Sequence, residues 1–143
     1  MQSALEQADA AGRQGEVPVG AVLVAGDGAI LGRSCNRVEA QKDPTAHAEV
    51  LALRHAAAAV GNYRLEGTVL VVTLEPCMMC AGALVHARIA GLVYGAADAR
   101  AGAVSSCLDG LDEPFHNHRV WHMGGVLGTE CAGRLQAFFE QRR

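Results

Sequence analysis

Four residues that can bind a metal ion or move a proton stand at short, regular spacings in this chain. His47 and Glu49 lie two positions apart in PTAHAEVLAL, and Cys77 and Cys80 lie three positions apart in TLEPCMMCAGA. A Cys-x-x-Cys pair alone fits a redox couple, a structural zinc site or an accident of composition. Because imidazole joins thiolate among the preferred zinc ligands, the upstream histidine favours a metal site with a carboxylate beside it.

The spacing also indicates which kind of zinc site to expect. Cysteines at i and i+3 in the first turn of a helix share one face, and the helix N-terminus favours their thiolate forms. Together with His47 they give three protein ligands and leave a fourth position open, as in catalytic sites. Zinc lowers the pKa of a bound water to about 7. We expect Glu49 to act there as general acid and base, a role worth roughly a hundred- to ten-thousand-fold in rate.

Helices and strands alternate along the chain and would hold these residues in place. Apolar periodicity and turn signals predict helices over 3–14, about 47–60, from Pro76 onward and over 129–143, and strands over 19–25, 29–36, 68–74, 91–96 and within 118–123. The glycine-rich stretch 97–117 is predicted to be a long functional loop. This order favours a mostly parallel sheet with helices on both faces.

Length and composition set broad limits on the class of protein. The chain has 143 residues, 50% of them apolar, which fits one domain over residues 1–143 around a single core. No apolar run reaches the roughly 18 residues of a membrane span, and the start lacks a secretory h-region, so we expect a cytoplasmic protein with reduced thiols. A net charge of −3 argues weakly against a large nucleic-acid footprint.

The order of these residues matches a known pattern of zinc-dependent nucleobase deaminases, His-x-Glu followed by Pro-Cys-x-x-Cys. The resemblance continues along nearly the whole chain in EVPVGAVLV, DPTAHAE, NYRL, VTLEPCMMCAGALVHARI, YGAADARAGA, NHRV and FFEQRR. Together these stretches resemble the bacterial tRNA-specific adenosine deaminases of the cytidine deaminase superfamily. The resemblance implies a three-layer α/β/α cytidine-deaminase-like fold, with a central mixed sheet of about five strands, one Zn²⁺ per subunit and a homodimer.

The resemblance also implies a reaction and a substrate. The reaction is hydrolytic deamination of adenosine to inosine at the wobble position of an arginine tRNA anticodon, by zinc-activated hydroxide attack at C6 with Glu49 as proton shuttle. His47, Cys77 and Cys80 match the family's zinc ligands. The residues expected to contact the substrate are Asn36, Ala48, Asp98, Phe139 and Arg142.

Three other functions stay open on the sequence alone. A deaminase of a free base or nucleotide, acting on cytosine, deoxycytidylate or guanine, would use the same metal motif. A non-enzymatic, zinc-stabilised RNA-binding module would contain zinc without turnover, but it gives Glu49 no role. A Cys-x-x-Cys thiol oxidoreductase would need no histidine ligand.

The remaining cysteines and histidines carry weaker signals. Cys35, Cys107 and Cys131 have no close cysteine partner, so we expect each to be buried as a small apolar side chain. Three histidines within residues 116–122 form a loose cluster. Their uneven spacing and the lack of an acidic companion argue against a second metal site.

Overall fold

The computed structural model describes all of residues 1–143 and contains five helices and five strands. The helices are α1 (Gln2–Arg13), α2 (Val38–Gln41), α3 (Ala48–Val60), α4 (Met78–His86) and α5 (Gly128–Glu140). The strands are β1 (Gly20–Val24), β2 (Ile30–Cys35), β3 (Val69–Leu74), β4 (Gly91–Ala96) and β5 (Trp121–Met123). Every predicted element is present with its ends shifted by a few residues, and only the short α2 was not expected. None of the helices combines the length and the apolar character needed to cross a bilayer.

The five strands form one sheet in the order β2-β1-β3-β4-β5. Strand β1 is antiparallel to both β2 and β3, whereas β4 is parallel to β3 and to β5. The sheet is therefore mixed, which confirms the five-stranded mixed sheet implied by the family resemblance, and the expectation of a mostly parallel sheet from element order is wrong. The reason is that β1 lies between β2 and β3. The hairpin makes β2 antiparallel to β1, and the crossover through α3 returns β3 parallel to β2, hence also antiparallel to β1.

Two glycines allow helices to approach the sheet from opposite sides. A Cβ on Gly32 would stand 2.8 Å from the backbone nitrogen of Ala56 in α3, and a Cβ on Gly20 would stand 2.5 Å from that of Ala8 in α1. Gly32 pairs with Leu23, which lies three positions from Gly20 on β1, so the two glycines face opposite sides. Helices α3 and α4 cover one face and α1 and α5 the other. This arrangement confirms the expected three-layer α/β/α architecture.

Helix α3 is held against the sheet by small side chains. Ala48, Ala52 and Ala56 recur every four residues on one face of the helix and have no exposed surface. Because these side chains are short, the helix backbone packs directly over β2 and β1. The close packing fixes the N-terminus of α3, where His47 lies.

We predict that Gly32→Ala destabilises the protein by about 1–3 kcal/mol, because the added methyl group overlaps the α3 backbone and forces the helix off the sheet. Urea unfolding followed by circular dichroism measures the change in the free energy of unfolding.

The matched control is Gly133→Ala in α5, an exposed helical position where the added methyl group would have no atom within 4 Å. Helix propensity there favours alanine by roughly 1 kcal/mol, so this variant should be as stable as the parent or more stable. Equal destabilisation by both changes would contradict the role given to Gly32.

Candidate active site

Two helix N-termini bring the proposed metal ligands together. His47 is the N-cap of α3 and Cys77 is the N-cap of α4, and both have an extended backbone. Cys80 lies one turn further along α4. The Nδ1 atom of His47 is 3.6 Å from Sγ of Cys77 and 3.5 Å from Sγ of Cys80. The structure therefore places one nitrogen and two sulfurs around a common point.

The separations between these atoms fit a tetrahedral zinc ion. Ligands at about 2.0 Å for nitrogen and about 2.3 Å for sulfur, at tetrahedral angles, stand roughly 3.5 Å apart. All three ligand atoms lie within 4.8 Å of one another, and no other group of three His, Cys, Asp or Glu side chains in the chain is arranged to hold a metal. Three ligands leave one position for water or substrate, which is the arrangement of a catalytic site.

The same three side chains form a hydrogen-bonded cluster. The pKa of Cys77 falls to about 4, mainly because its sulfur accepts a hydrogen bond from Cys80. Burial raises this pKa, but a hydrogen bond with His47 lowers it further. The hydrogen bond between the two cysteines, together with burial, raises the pKa of the Cys80 thiol. A metal ion bound by these groups would replace their protons, and the helix N-termini would stabilise the resulting thiolates.

Glu49 is buried beside the cluster, with 4% of its surface exposed. Its carboxylate is hydrogen-bonded to its own backbone N–H and to the thiol of Cys80. Burial raises the pKa of Glu49 to about 6, although that backbone bond and the nearby His47 lower it in part. A carboxyl group with a pKa near neutral can both accept and release a proton at working pH, which is the property of a general acid and base.

A pocket of about 560 Å³ opens onto these residues. Its volume lies within the range of small-molecule binding sites. The pocket is lined by His47, Glu49 and Cys77, while Cys80 lies behind it in the core. Among the residues expected to contact the substrate, those in the lining are Asn36, Ala48, Asp98 and Arg142.

The C-terminal helix contributes one of its two adjacent phenylalanines to the pocket lining. Phe139 is 48% exposed and does not line the pocket, whereas the neighbouring Phe138 is buried and does. The guanidinium carbon of Arg142 lies 3.7 Å from the centre of the Phe138 ring, and its Nη2 donates a hydrogen bond to the carbonyl oxygen of Gly15. Arg142 thus closes one side of the pocket by joining the end of α5 to the loop before β1.

Glu16 holds Asn36 in the opposite wall and was not singled out in the sequence. Its buried carboxylate accepts hydrogen bonds from Nδ2 of Asn36 at 3.2 Å and from the backbone nitrogen of Ala40 at 2.7 Å. With its Nδ2 engaged, Asn36 has its Oδ1 available to accept a hydrogen bond in the pocket. The available signal was the EVPVG stretch, in which a charged residue stands four positions before an apolar strand.

Glu75 is a second pocket residue that the sequence patterns did not indicate. It follows β3 directly, is 2% exposed, and accepts hydrogen bonds from residues 98–106. Burial by itself raises the pKa of Glu75, but hydrogen bonds from Ser106, Ser105 and Asp98 outweigh it and lower the pKa to about 2. Glu75 is therefore a permanent anion within the pocket wall.

The other cysteines and histidines do not form a second site. Cys35 and Cys131 are buried as expected, but Cys107 is exposed, so the expectation of burial was wrong there. The irregular loop around Cys107 leaves its thiol at the surface, 3.4 Å from the carbonyl oxygen of Ala99. The histidines within 116–122 bond to three separate acceptors, two backbone carbonyls and one carboxylate.

Comparisons with known proteins agree with this geometry. Residues 1–96 match the family model of the cytidine and deoxycytidylate deaminase zinc-binding region. The tRNA-specific adenosine deaminase of Haemophilus influenzae is 50% identical over 143 residues, which are 100% of this chain and 83% of that protein.

Two solved structures resemble the fold at different levels of sequence identity. A structure from a study of A-to-I editing by tRNA:A34 deaminases at the wobble position of transfer RNA is 46% identical, with a TM-score of 0.91, covering 94% of this chain and 97% of that one. A guanine deaminase from Bacillus subtilis is 33% identical, with a TM-score of 0.65, covering 97% of this chain and 90% of that one.

The matched zinc-binding region includes His47, Glu49 and the Cys-x-x-Cys pair, and the similarity to the Haemophilus influenzae enzyme extends over the whole chain. The chain belongs to the zinc-dependent cytidine and deoxycytidylate deaminase family, and within that family to the tRNA-specific adenosine deaminases.

Proposed function

We propose that this protein deaminates adenosine to inosine at the wobble position of a tRNA anticodon, with an arginine tRNA as its substrate. The observation that carries the proposal is the buried Glu49 carboxylate beside a three-ligand metal site, inside a pocket large enough for a nucleobase. Similarity to tRNA-specific adenosine deaminases over the full chain supports the choice of substrate. The proposal assigns residues 1–143 to one deaminase domain.

In this proposal His47, Cys77 and Cys80 hold one zinc ion. When bound, the ion would lower the pKa of a water molecule to about 7, so that a nucleophile would be present at neutral pH. The Glu49 carboxylate would take one proton from that water while the water oxygen bonds to C6, and would pass this proton to N1 of adenine. It would then take the second proton, from the new C6 hydroxyl, and pass it to the exocyclic amine, whose bond to C6 breaks to release ammonia. Water and adenosine are thus converted to inosine and ammonia.

The walls of the pocket orient the base for this step. We assign Asn36 Oδ1 as the acceptor for a polar hydrogen of the nucleoside, and Ala48 as a small residue that leaves room for the ring. Asp98 and Arg142, which both line the pocket, are proposed to contact the sugar–phosphate backbone of the substrate. Phe139, exposed outside the pocket, is proposed to stack on an unpaired base of the anticodon loop.

We predict that Glu49→Gln retains one zinc ion per chain but loses roughly a hundred- to ten-thousand-fold in kcat, because the amide cannot accept and release the proton. Cys80→Ala should lose both zinc and activity, since it removes a ligand. Zinc per chain is measured by inductively coupled plasma mass spectrometry, and inosine by nuclease digestion and chromatography.

The matched cysteine control is Cys107→Ser, which changes an exposed thiol outside the metal cluster. It should keep both zinc and activity. Substantial turnover by the Glu49 variant, or full zinc content in the Cys80 variant, would contradict the assigned roles.

The substrate class is tested by offering the wild-type protein an arginine tRNA anticodon stem-loop alongside free adenosine, cytidine, cytosine, deoxycytidylate and guanine. We expect ammonia and inosine from the stem-loop only, because the proposed contacts of Phe139 and Arg142 are with parts of the RNA that a free base or nucleoside lacks. A stem-loop with guanosine at the wobble position is the matched control and should not react.

The competing candidate is a deaminase of a free base, and the likeness to a guanine deaminase supports it. Ammonia from guanine or cytosine, without inosine in the stem-loop, would replace the tRNA assignment by that activity.

We further propose that two copies of the chain form a homodimer in the cytoplasm, where the thiol ligands stay reduced. Helix α4, which carries both cysteine ligands, also displays Met78 at 71% and Met79 at 37% exposure. Exposed apolar side chains on one helix are candidates for contact with a second copy.

We predict that Met78→Glu shifts the protein towards monomer in sedimentation velocity, because it places a charge in the proposed contact. Met123→Glu, on the edge strand β5 and 56% exposed, is the matched control and should leave the sedimentation coefficient unchanged. A monomeric wild type, or the reverse pattern, would contradict this interface.

A further inference from the structure

The Glu75 carboxylate accepts hydrogen bonds from several residues of the loop that follows β4. Oε1 accepts backbone N–H groups from Val104 at 3.1 Å, Ser105 at 2.8 Å and Ser106 at 2.9 Å. Oε2 accepts the backbone N–H of Asp98 at 3.0 Å and the hydroxyl of Ser106. One buried side chain therefore satisfies four backbone donors and one hydroxyl donor from a single segment, residues 98–106.

This segment depends on the carboxylate because it has no regular secondary structure of its own. A backbone N–H that is removed from water needs an acceptor. Some donors of this segment bond to Asp98 within the loop, but four backbone N–H groups have the Glu75 carboxylate as their acceptor. Hydrogen bonds to a charged acceptor are roughly twice as strong as neutral ones. Glu75 thus stabilises one conformation of a loop whose sequence has neither helical nor strand periodicity.

Gly102 shows that the loop is shaped to fit around this side chain. A Cβ at this position would overlap Cδ and Oε2 of Glu75 and would stand 2.6 Å from the carbonyl oxygen of Asp98. Glycine is therefore required by the close approach of the loop to the carboxylate. The loop backbone therefore packs directly against the Glu75 side chain.

Glu75 is also tied to the metal site through its own backbone. It precedes Pro76 and Cys77, and the carbonyl oxygen of Pro76 accepts the N–H of Ala103 from the same loop at 2.8 Å. At its other end the loop carries Asp98 and Ala101 into the pocket lining. One residue thus connects a metal ligand to the wall that faces the substrate.

We propose that Glu75 is a positioning residue, which sets the distance between the substrate-facing wall at Asp98 and the metal-bound end of the pocket at Cys77. The proposal rests on the proposed function, because it concerns the same reaction. Glu75 acts through the loop and not on the substrate, since both of its carboxylate oxygens are occupied by loop donors. Misplacement of a pocket wall by about 1 Å costs on the order of a hundredfold in rate.

The test is Glu75→Gln. If the amide oxygen takes the place of Oε1, the three bonds from residues 104–106 are kept, and the hydroxyl of Ser106 can rotate to accept from the amide nitrogen. That nitrogen then faces the backbone N–H of Asp98, so the hydrogen bond from Asp98 to position Oε2 is the only one lost. We expect kcat on the tRNA stem-loop to fall about ten- to a hundredfold with little change in KM, full zinc content, and faster amide hydrogen exchange around Asp98.

Gly102→Ala provides a second route to the same displacement without altering the charge. It should lower kcat in the same way, and the double variant should lose less than the sum of the two effects, because both changes disturb one contact. If Glu75→Gln does not fold, Gly102→Ala carries the test.

The matched control is Thr68→Val, which removes a buried hydroxyl bond to the carbonyl oxygen of Leu65 at the opposite end of β3. It should lower the melting temperature but leave kcat and KM unchanged. A purely structural role for Glu75 predicts the same behaviour for Glu75→Gln.

Three results would overturn the proposal: an unchanged kcat, slow exchange around Asp98 as in the wild type, or a loss of zinc that accounts for all of the lost activity. The exchange and zinc measurements need no substrate. Failure of the wild type to deaminate the stem-loop would therefore count against the proposed function and leave the positioning role to be decided by those measurements.

Discussion

The active site depends on two helix N-termini being held so that one nitrogen and two sulfurs point at the same place. His47 and Cys77 are thirty residues apart in the chain, yet Nδ1 and Sγ lie 3.6 Å apart. Two separate packing arrangements produce this closeness. Helix α3 lies directly on β2 because of Gly32 and its own alanines, and α4 begins immediately beyond the end of β3. A change that displaces either helix from the sheet would also move a metal ligand.

Three buried glutamates show how one residue type takes different roles in a single pocket. Glu49 has few donors around it, and burial raises its pKa to about 6, so it can exchange protons. Glu75 is surrounded by N–H and O–H donors that lower its pKa to about 2, so it is fixed as an anion and organises a loop. Glu16 binds Asn36 and the start of α2. The difference between Glu49 and Glu75 lies in hydrogen bonding to the charged form, since both are buried.

The parts of this structure that could be predicted from sequence are the local ones. The β-branched run 68–74 and the helix starts at His47 and Cys77 are set by neighbouring residues, and the ligand spacing follows from helix geometry. Element order alone predicted a mostly parallel sheet, because strand direction depends on which strand lies between two others, whereas the mixed sheet implied by the family resemblance is confirmed. Phe138 and Phe139 are adjacent on α5, and only tertiary packing decides which of them turns inward.

The loop after β4 was the least predictable part of the site. Its conformation is imposed by Glu75, which lies 23 to 31 residues earlier in the chain, so no pattern within the loop reveals it. The same absence of regular structure left Cys107 at the surface against expectation. A residue whose role is to accept hydrogen bonds from backbone N–H groups far away in the sequence can be identified only from the folded structure.

X-ray absorption spectroscopy at the zinc edge tests most directly whether the two helices meet around one ion. We predict a first coordination shell of two sulfur atoms at about 2.3 Å and two lighter atoms at about 2.0 Å, one of them from histidine and the other from solvent. A shell with three or four sulfurs, or with none, would contradict the His47, Cys77 and Cys80 site on which the rest of the mechanism is built.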